Sequence, residues 1–187
     1  MLARKLSSQT VGYIEFIIKL FERLCLDLDE LQDFFQLKLD EIKNIYFTGD
    51  QHSSGSTTIL EFQNSQKVVY KPNNVSITKA YNNFLRWIKP NLGDELRTFN
   101  AIDKKEYGWL EYVNHSECNS IEDVKLFYKR SGILVGISYF LNSTDYHFEN
   151  LIASGNCPVL IDHETITYPK VKNQINKNDN SLEQIYG

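Results

Sequence analysis

A group of acidic, imidazole and amide side chains lies on either side of a short apolar run in the last third of the chain. Asp145, His147 and Asn150 come before Leu151–Ala153, and Asp162 ends the next apolar run. In phosphoryl transfer from ATP, one carboxylate orients the attacking hydroxyl, while an amide oxygen and a second carboxylate hold magnesium. The types and spacing of these residues therefore predict a phosphotransferase site.

Each of these residues has a candidate role. Asp145 would accept the hydrogen bond, and later the proton, of the nucleophilic hydroxyl. His147 would either position Asp145 or contact phosphate. Asn150 offers magnesium a neutral oxygen, and Asp162 offers the hard anionic oxygen that bridges the metal to phosphate. Taken singly, each residue is better explained as a turn, cap or buried polar residue, and it is the combination that favours a site.

Two upstream segments are candidates for phosphate binding. Lys71 ends the strand-like run Val68–Tyr70, and from there its ammonium can reach phosphates as a point charge. The segment Gly49–Gly55 places small polar residues between two glycines, so its backbone can approach a phosphate. Within it, Asp50 and His52 are candidates for acid–base chemistry. The alternative interpretation of this segment is a polar hairpin loop.

Composition narrows the class of protein. The 187 residues fit one domain or one two-lobed unit, and 42% hydrophobic residues suffice for a packed core. A formal charge of −4 offers no basic surface for nucleic acid. Three well-separated cysteines favour a reducing cytoplasm over a disulfide framework. The sequence predicts neither a signal peptide nor a membrane span.

The pattern of apolar residues predicts a helical segment over residues 1–47 and a strand-rich small lobe over residues 48–113. In the small lobe, strands over Thr57–Phe62 and Lys67–Tyr70 flank a turn, and Ile77–Ile88 is predicted to be helical. Tyr107–Val113 would join two lobes and present backbone groups to adenine, or would simply be an amphipathic strand. In the helical segment, the residues predicted to face the core are Val11, Ile14, Ile17, Ile18, Phe21 and Leu24.

The start of a large lobe is predicted over residues 114–169, and residues 170–187 are predicted to be a polar tail. A helix is expected from about Ile121 to Leu141, with Ser120 as its capping residue. The run Leu151–Ala153 and the run from Val159 to Asp162 are expected to form a hairpin that carries the candidate metal ligand.

These motifs resemble, as an ordered set, those of the N-terminal dehydratase domain of class II lanthipeptide synthetases. The resemblance implies an α+β, kinase-like two-lobed fold related to the lipid kinases, incomplete in this chain and preceded by a helical segment. The motifs that carry the resemblance are Gly49–Gly55, Val69–Pro72, Tyr107–Val113, Thr144–Ile152 and Pro158–Thr165.

The resemblance also implies an activity in lantibiotic biosynthesis. Such a domain uses ATP and Mg²⁺ to phosphorylate Ser and Thr of a ribosomal precursor peptide, which consists of a leader and a Ser/Thr-rich core. It then eliminates phosphate to give dehydroamino acids, and a separate zinc cyclase domain forms the rings. No zinc is predicted in this chain, and the missing C-terminal part of the synthetase is a candidate partner.

Residue roles follow from the resemblance by motif. Lys71, with the loop glycines Gly49 and Gly55, would bind the nucleotide. Asp145 would be the catalytic carboxylate, supported by His147. The metal ligands would be Asn150 and Asp162, and phosphate handling or elimination would fall to Asp50 and His52.

The sequence departs from the family pattern at several points. Asn73 stands where arginine is frequent, and His163 where an apolar residue is usual. The chain also ends before the rest of the dehydratase domain, so it is expected to be a fragment of marginal stability with little or no dehydratase activity. In particular, the apolar residues of the Leu151–Ala153 and Val159–Ile161 hairpin are expected to lack cover.

Two other functions are compatible with the same residues. The D-x-H pairs Asp50–His52 and Asp145–His147, with Asp162 and Glu164, could bind metal ions in a hydrolase. Alternatively, the chain is a non-catalytic remnant that binds nucleotide or peptide without turnover.

Overall fold

The computed structural model describes residues 2–52, 55–93, 96–144 and 146–166. This part of the chain is α+β, as predicted. Its elements in chain order are α1 (Leu2–Phe35), β1 (Ile42–His52), β2 (Gly55–Phe62), β3 (Lys67–Lys71), α2 (Ser76–Leu92), β4 (Ala101–Asp103), β5 (Gly108–Glu111), α3 (Ile121–Phe140), a 3₁₀ turn (Phe148–Asn150), β6 (Leu151–Ser154) and β7 (Cys157–Leu160).

The first five strands form one antiparallel sheet in the order β1-β2-β3-β5-β4. The predicted turn joins β2 to β3, where the Phe62 amide donates to the Gln66 carbonyl at 2.9 Å and Ser65 adopts a φ of 65°. Because side chains alternate along a strand, the sheet has two different faces. Val68 and Tyr70 face α1, whereas Val69 and Lys71 face the opposite side.

The prediction of helix through residue 47 is wrong at its end, because α1 stops at Phe35 and β1 begins at Ile42. Gln36 leaves the helix with a φ of 55°, a left-handed conformation that no glycine marks in the sequence. From Asn44 to Thr48, β1 pairs with β2 residue by residue. Pairing across the sheet therefore overrides the helical spacing that continues from Leu31 to Ile42.

The face of α1 that contacts the sheet also differs from the prediction. Phe16, Leu20, Leu24 and Leu31 are buried, and they recur at spacings of four and seven residues. Several residues predicted to face the core instead form a second apolar stripe on the outside of the helix. These exposed residues are Val11, Ile14, Ile18 and Phe21.

A buried carboxylate joins α1 to the sheet. Asp27, which is 5% exposed, accepts hydrogen bonds from Tyr107 Oη and Trp109 Nε1, both at 2.8 Å, and its other oxygen lies 2.9 Å from Lys104 Nζ. Burial raises the pKa of Asp27, but these donors together outweigh it and leave that pKa below its usual value. The carboxylate is therefore held ionised inside the fold.

Helix α3 confirms the sequence prediction closely. It spans Ile121–Phe140, and Ser120 Oγ accepts from the Asp123 amide at 3.1 Å, as expected for a capping residue. Leu134 and Ile137 are buried, whereas Tyr139 is 89% exposed. Only part of the apolar surface of α3 is therefore covered. Within the described residues, no helix combines the length and apolar character needed to cross a membrane.

Strand β7 of the hairpin is covered on both sides, contrary to the expectation that the apolar residues of the hairpin would be bare, whereas Leu151–Ala153 of β6 are only partly buried. Val159 is 2% exposed and packs in one cluster with Leu110 of β5 and with Val113. Leu160 is 6% exposed and packs with Leu134 and Ile137 of α3. The hairpin lies between the sheet and α3, and these two elements supply the cover.

Candidate active site

Lys71 and Asp162 meet between the sheet and the hairpin. Lys71 Nζ lies 3.2 Å from Asp162 Oδ1 and 3.9 Å from Glu164 Oε1. Lys71 is buried, at 6% exposure, whereas the Asp162 side chain retains 36%. The fold thus brings together two predicted site residues that are 91 positions apart in the sequence.

Local strand geometry explains why these side chains converge. Lys71 is the last residue of β3 and pairs with Gly108, so its side chain leaves the sheet on the face away from α1. Pro72 follows and cannot donate to the ladder, so β3 ends there. Asp162 comes two residues after the end of β7, whose ladder runs up to the pair Leu151 and Leu160.

The backbone of Asn150 is hydrogen-bonded to that of Ile161, the residue before Asp162. The Asn150 amide donates to the His147 carbonyl at 3.0 Å, and its carbonyl accepts from the Ile161 amide at 3.0 Å. The 3₁₀ turn therefore feeds into β6 with Asn150 beside the Ile161–Asp162 backbone. Both predicted magnesium ligands thus sit at the same end of the hairpin, although their role as ligands remains a prediction.

Asp145 lies outside the described residues, but the contacts of Thr144 and Tyr146 on either side of it are described. Thr165 Oγ1 donates to the Thr144 carbonyl, and Tyr146 packs in the same apolar cluster as Leu160 and Ile166. The chain on either side of position 145 therefore lies beside the segment that carries Asp162. His147 Nδ1 accepts from the Glu149 amide at 3.3 Å, which makes it the cap of the 3₁₀ turn.

A largely apolar cavity of about 160 Å³ lies next to Lys71. Ile59, Val69 and Leu110 of the sheet line one side, and Ile152 and Ile161 of the hairpin line the other. The end of β5 closes it through Glu111, Tyr112 and Val113, the segment predicted to present backbone groups to adenine. The cavity is therefore apolar on its two facing sides and bordered by one lysine.

The glycine segment forms the far end of the β1–β2 hairpin. Asp50 and His52 fall in β1, but their side chains lie outside the described part of the structure. Gly49 has a φ of 72°, at an irregularity in strand pairing. Gly55 has a φ of 116°, and a Cβ there would overlap the Phe16 ring of α1. The fold thus gives Gly55 a packing requirement that is independent of any phosphate.

A family model described as "Domain of unknown function (DUF4135)" matches residues 1–185. The chain belongs to this family. It is also 35% identical over 134 residues to the lacticin 481/lactococcin biosynthesis protein LcnDR2 of Lactococcus lactis subsp. lactis. That alignment covers 67% of this chain but 14% of the relative, so the DUF4135 chain spans a small part of that protein's length. The predicted relationship to class II lanthipeptide synthetases is confirmed.

The structure adds to the DUF4135 site three residues that the sequence did not link to phosphoryl transfer. Glu164 joins Asp162 beside Lys71. Asn73 Nδ2 donates to Glu164 Oε1 at 2.8 Å, so the residue that replaces the frequent arginine still contacts the site. His163, which lies between Asp162 and Glu164 in the sequence, is fully buried. The sequence indicates Glu164, through its D-x-E spacing with Asp162, only as a metal ligand of the alternative hydrolase.

The structure does not assemble the metal cluster of a hydrolase from the residues it describes. Among them, no group of three or more His, Cys, Asp or Glu side chains is placed to hold a metal ion. In the second D-x-H pair, the His147 Nδ1 accepts from the Glu149 amide and caps the 3₁₀ turn. Asp145 and the side chains of Asp50 and His52 fall outside the described set.

We expect the free energy of unfolding to fall as the pH drops from 6.5 towards 4.5. Burial, and secondarily the Lys71 charge, lower the pKa of His163 from 6.5 to about 3. Between these two values the unfolded chain binds a proton that the folded chain does not, so stability is lost as pH falls through this window and is fully present above it. The slope from one such group is about 1.4 kcal/mol per pH unit.

Urea unfolding at a series of pH values measures this slope, and His163→Phe is the matched variant. The variant lacks the titrating ring, so its curve should be flatter than that of the wild type between pH 6.5 and 4.5. Parallel curves for the two proteins would contradict the assignment of the slope to His163.

Proposed function

We propose that this chain forms the nucleotide-binding part of an ATP- and magnesium-dependent peptide dehydratase in lantibiotic biosynthesis. The observation that carries the proposal is the convergence of Lys71 with Asp162 at the edge of an apolar cavity. A lysine that contacts the phosphates of a nucleoside triphosphate and a carboxylate that holds its metal are recurring parts of phosphoryl-transfer sites.

The residues present fit magnesium and ATP by their chemistry. Asp162 and Glu164 supply carboxylate oxygens within reach of one lysine, and hard oxygens are the ligands that magnesium prefers. When bound, Mg²⁺ would neutralise negative charge on the phosphates. Asp162 and Asn150 would hold the metal, and Lys71 would contact phosphate oxygens. The apolar walls built from Ile59, Val69, Ile152 and neighbouring residues would bind the base and exclude water.

The remaining residues would act on the acceptor. Asp145, which falls between α3 and β6 in the sequence, would accept the hydrogen bond of a Ser or Thr hydroxyl and then its proton. His147, two residues on, would help to position Asp145. Asp50 and His52, in the β1–β2 hairpin, would handle the phosphate during its elimination, together with the backbone at Gly49 and Gly55.

The peptide substrate is proposed from the relative. LcnDR2 is a lacticin 481/lactococcin biosynthesis protein, and the aligned part of this chain is 35% identical to it. We therefore propose a ribosomal precursor peptide with Ser and Thr in its core as the phosphate acceptor. Dehydroamino acids would be the products of the complete reaction.

Transfer of labelled phosphate from ATP to a Ser/Thr-containing precursor peptide tests this function. The purified chain is incubated with Mg-ATP and peptide beside Asp162→Asn, and the peptide mass is followed for phosphate gain. Phosphorylation by the wild type alone supports the proposal. Hydrolysis of a phosphoester substrate without ATP would instead favour the metal-dependent hydrolase.

A further inference from the structure

His163 is a buried polar residue in the middle of the site that the proposed function does not use. Its side chain is 0% exposed, and its ring lies 4.3 Å, centroid to centroid, from Tyr81 of α2. Nδ1 lies 3.3 Å from the Thr78 Oγ1, also on α2. Within the described residues Nε2 has no hydrogen-bond partner. The segment after β7 is therefore tied to α2 through this ring.

If His163 served only to fill space, burying its unpaired Nε2 would lower the stability of the fold for no gain. Leaving a buried polar atom unsatisfied costs about 1–3 kcal/mol, and a phenyl ring would fill a similar volume without that cost. A polar contact in a core can instead select one arrangement among several similar ones. The contact with Thr78 has this character, because it requires one orientation of the ring relative to α2.

The orientation of His163 determines where its two neighbours point. The chain turns directly after β7: Asp162 Oδ1 accepts from the Glu164 amide at 3.3 Å, and the Ile166 amide donates to the His163 carbonyl at 3.1 Å. With His163 inserted under α2, Asp162 and Glu164 both lie on the Lys71 side, at 3.2 and 3.9 Å from its Nζ. A rotation that released His163 would carry both carboxylates away from Lys71.

We propose that His163, through Thr78, is a positioning residue that holds Asp162 and Glu164 towards Lys71. It acts on the reacting groups only through its chain neighbours. The functional part of this inference rests on the proposed function, because the carboxylates are positioned for a magnesium nucleotide. Its structural part, that the ring keeps Lys71 paired and covered, does not depend on any ligand.

His163→Phe separates positioning from packing because the two roles predict changes of different sign. The variant keeps a ring in the cavity and removes the unsatisfied nitrogen, so its melting temperature at pH 7.5 should equal or exceed that of the wild type. Its affinity for Mg-ATP, measured by calorimetry, should nevertheless fall roughly tenfold. Thr78→Val removes the same contact from the other side and should weaken binding similarly, which keeps the test valid if the first variant fails to fold.

Thr58→Val is the matched control, because Thr58 is likewise fully buried and its hydroxyl bonds only to a nearby carbonyl of β2 among the described residues. A second readout needs no ligand: the rate at which an amine-reactive reagent labels Lys71, followed by mass spectrometry. The rate should rise in His163→Phe and Thr78→Val and not in Thr58→Val. An unchanged labelling rate in both site variants overturns the positioning role.

The outcomes also distinguish this inference from the proposed function. If the wild type does not bind Mg-ATP, the proposed function fails, and the labelling rates alone decide whether His163 positions the carboxylates. If the wild type binds and His163→Phe and Thr78→Val bind within about twofold of it, the positioning role fails while the proposed function stands.

Discussion

Lys71→Met is expected to lose at least about 30-fold in affinity for Mg-ATP while the chain remains folded. Truncating one member of a buried, hydrogen-bonded charge pair costs about 2–5 kcal/mol in binding, and Lys71 is the cation that borders the cavity. Methionine keeps the length and apolar stem of the side chain, so the packing of β3 is preserved. The Asp162 side chain is 36% exposed, so it stays hydrated when Lys71 is replaced.

Isothermal titration with Mg-ATP measures this loss, and Lys79→Met provides the control. Lys79 is an exposed lysine on α2, so its replacement changes the net charge equally without touching the cavity. An affinity of Lys71→Met within about threefold of the wild type would mean that the ammonium does not contact phosphate.

Asp27→Ala is expected to lower the free energy of unfolding by about 3 kcal/mol or more. The change removes the acceptor of the Tyr107 hydroxyl and the Trp109 indole and leaves Lys104 near the interior without this partner. The burial and the Asp27 carboxylate raise the pKa of Tyr107 to about 12. That pKa should return towards 10 in the variant.

Urea unfolding measures the loss of stability, and Asp29→Ala is the matched control. Asp29 is an exposed carboxylate two residues further along α1, and its removal should change stability by no more than about 0.5 kcal/mol. Equal losses in both variants would show that the effect comes from the helix rather than from the buried network.

Features with a local cause could be predicted from the sequence. The β2–β3 hairpin follows from two β-branched runs around Gln63–Gln66, and the start of α3 follows from Ser120 and its bond to the Asp123 amide. The β6–β7 hairpin follows from two short apolar runs around Gly155, which adopts a φ of 59°. Each is encoded within a few residues of chain.

Features decided by distant contacts could not be predicted. Helix α1 has apolar residues on two faces, and it is the sheet that selects Leu20 and Leu31 rather than Ile14 and Ile18 for burial. Strand β4 has three residues and exists because β5 pairs with it. In the site, the types of Lys71 and Asp162 indicated their chemistry, but the burial of His163 depends on α2 and is not visible in its neighbours.

The thermal unfolding of the chain with and without Mg-ATP, beside Asp162→Asn, tests the central claim most directly. A ligand present at about a hundredfold its dissociation constant stabilises a fold by roughly 2.7 kcal/mol, which for a chain of this size corresponds to roughly 5–10 °C. We predict a shift of this size in the wild type and little or none in Asp162→Asn. A wild-type melting temperature that does not respond to Mg-ATP, or an equal shift in both proteins, would contradict a nucleotide site built on Lys71 and Asp162.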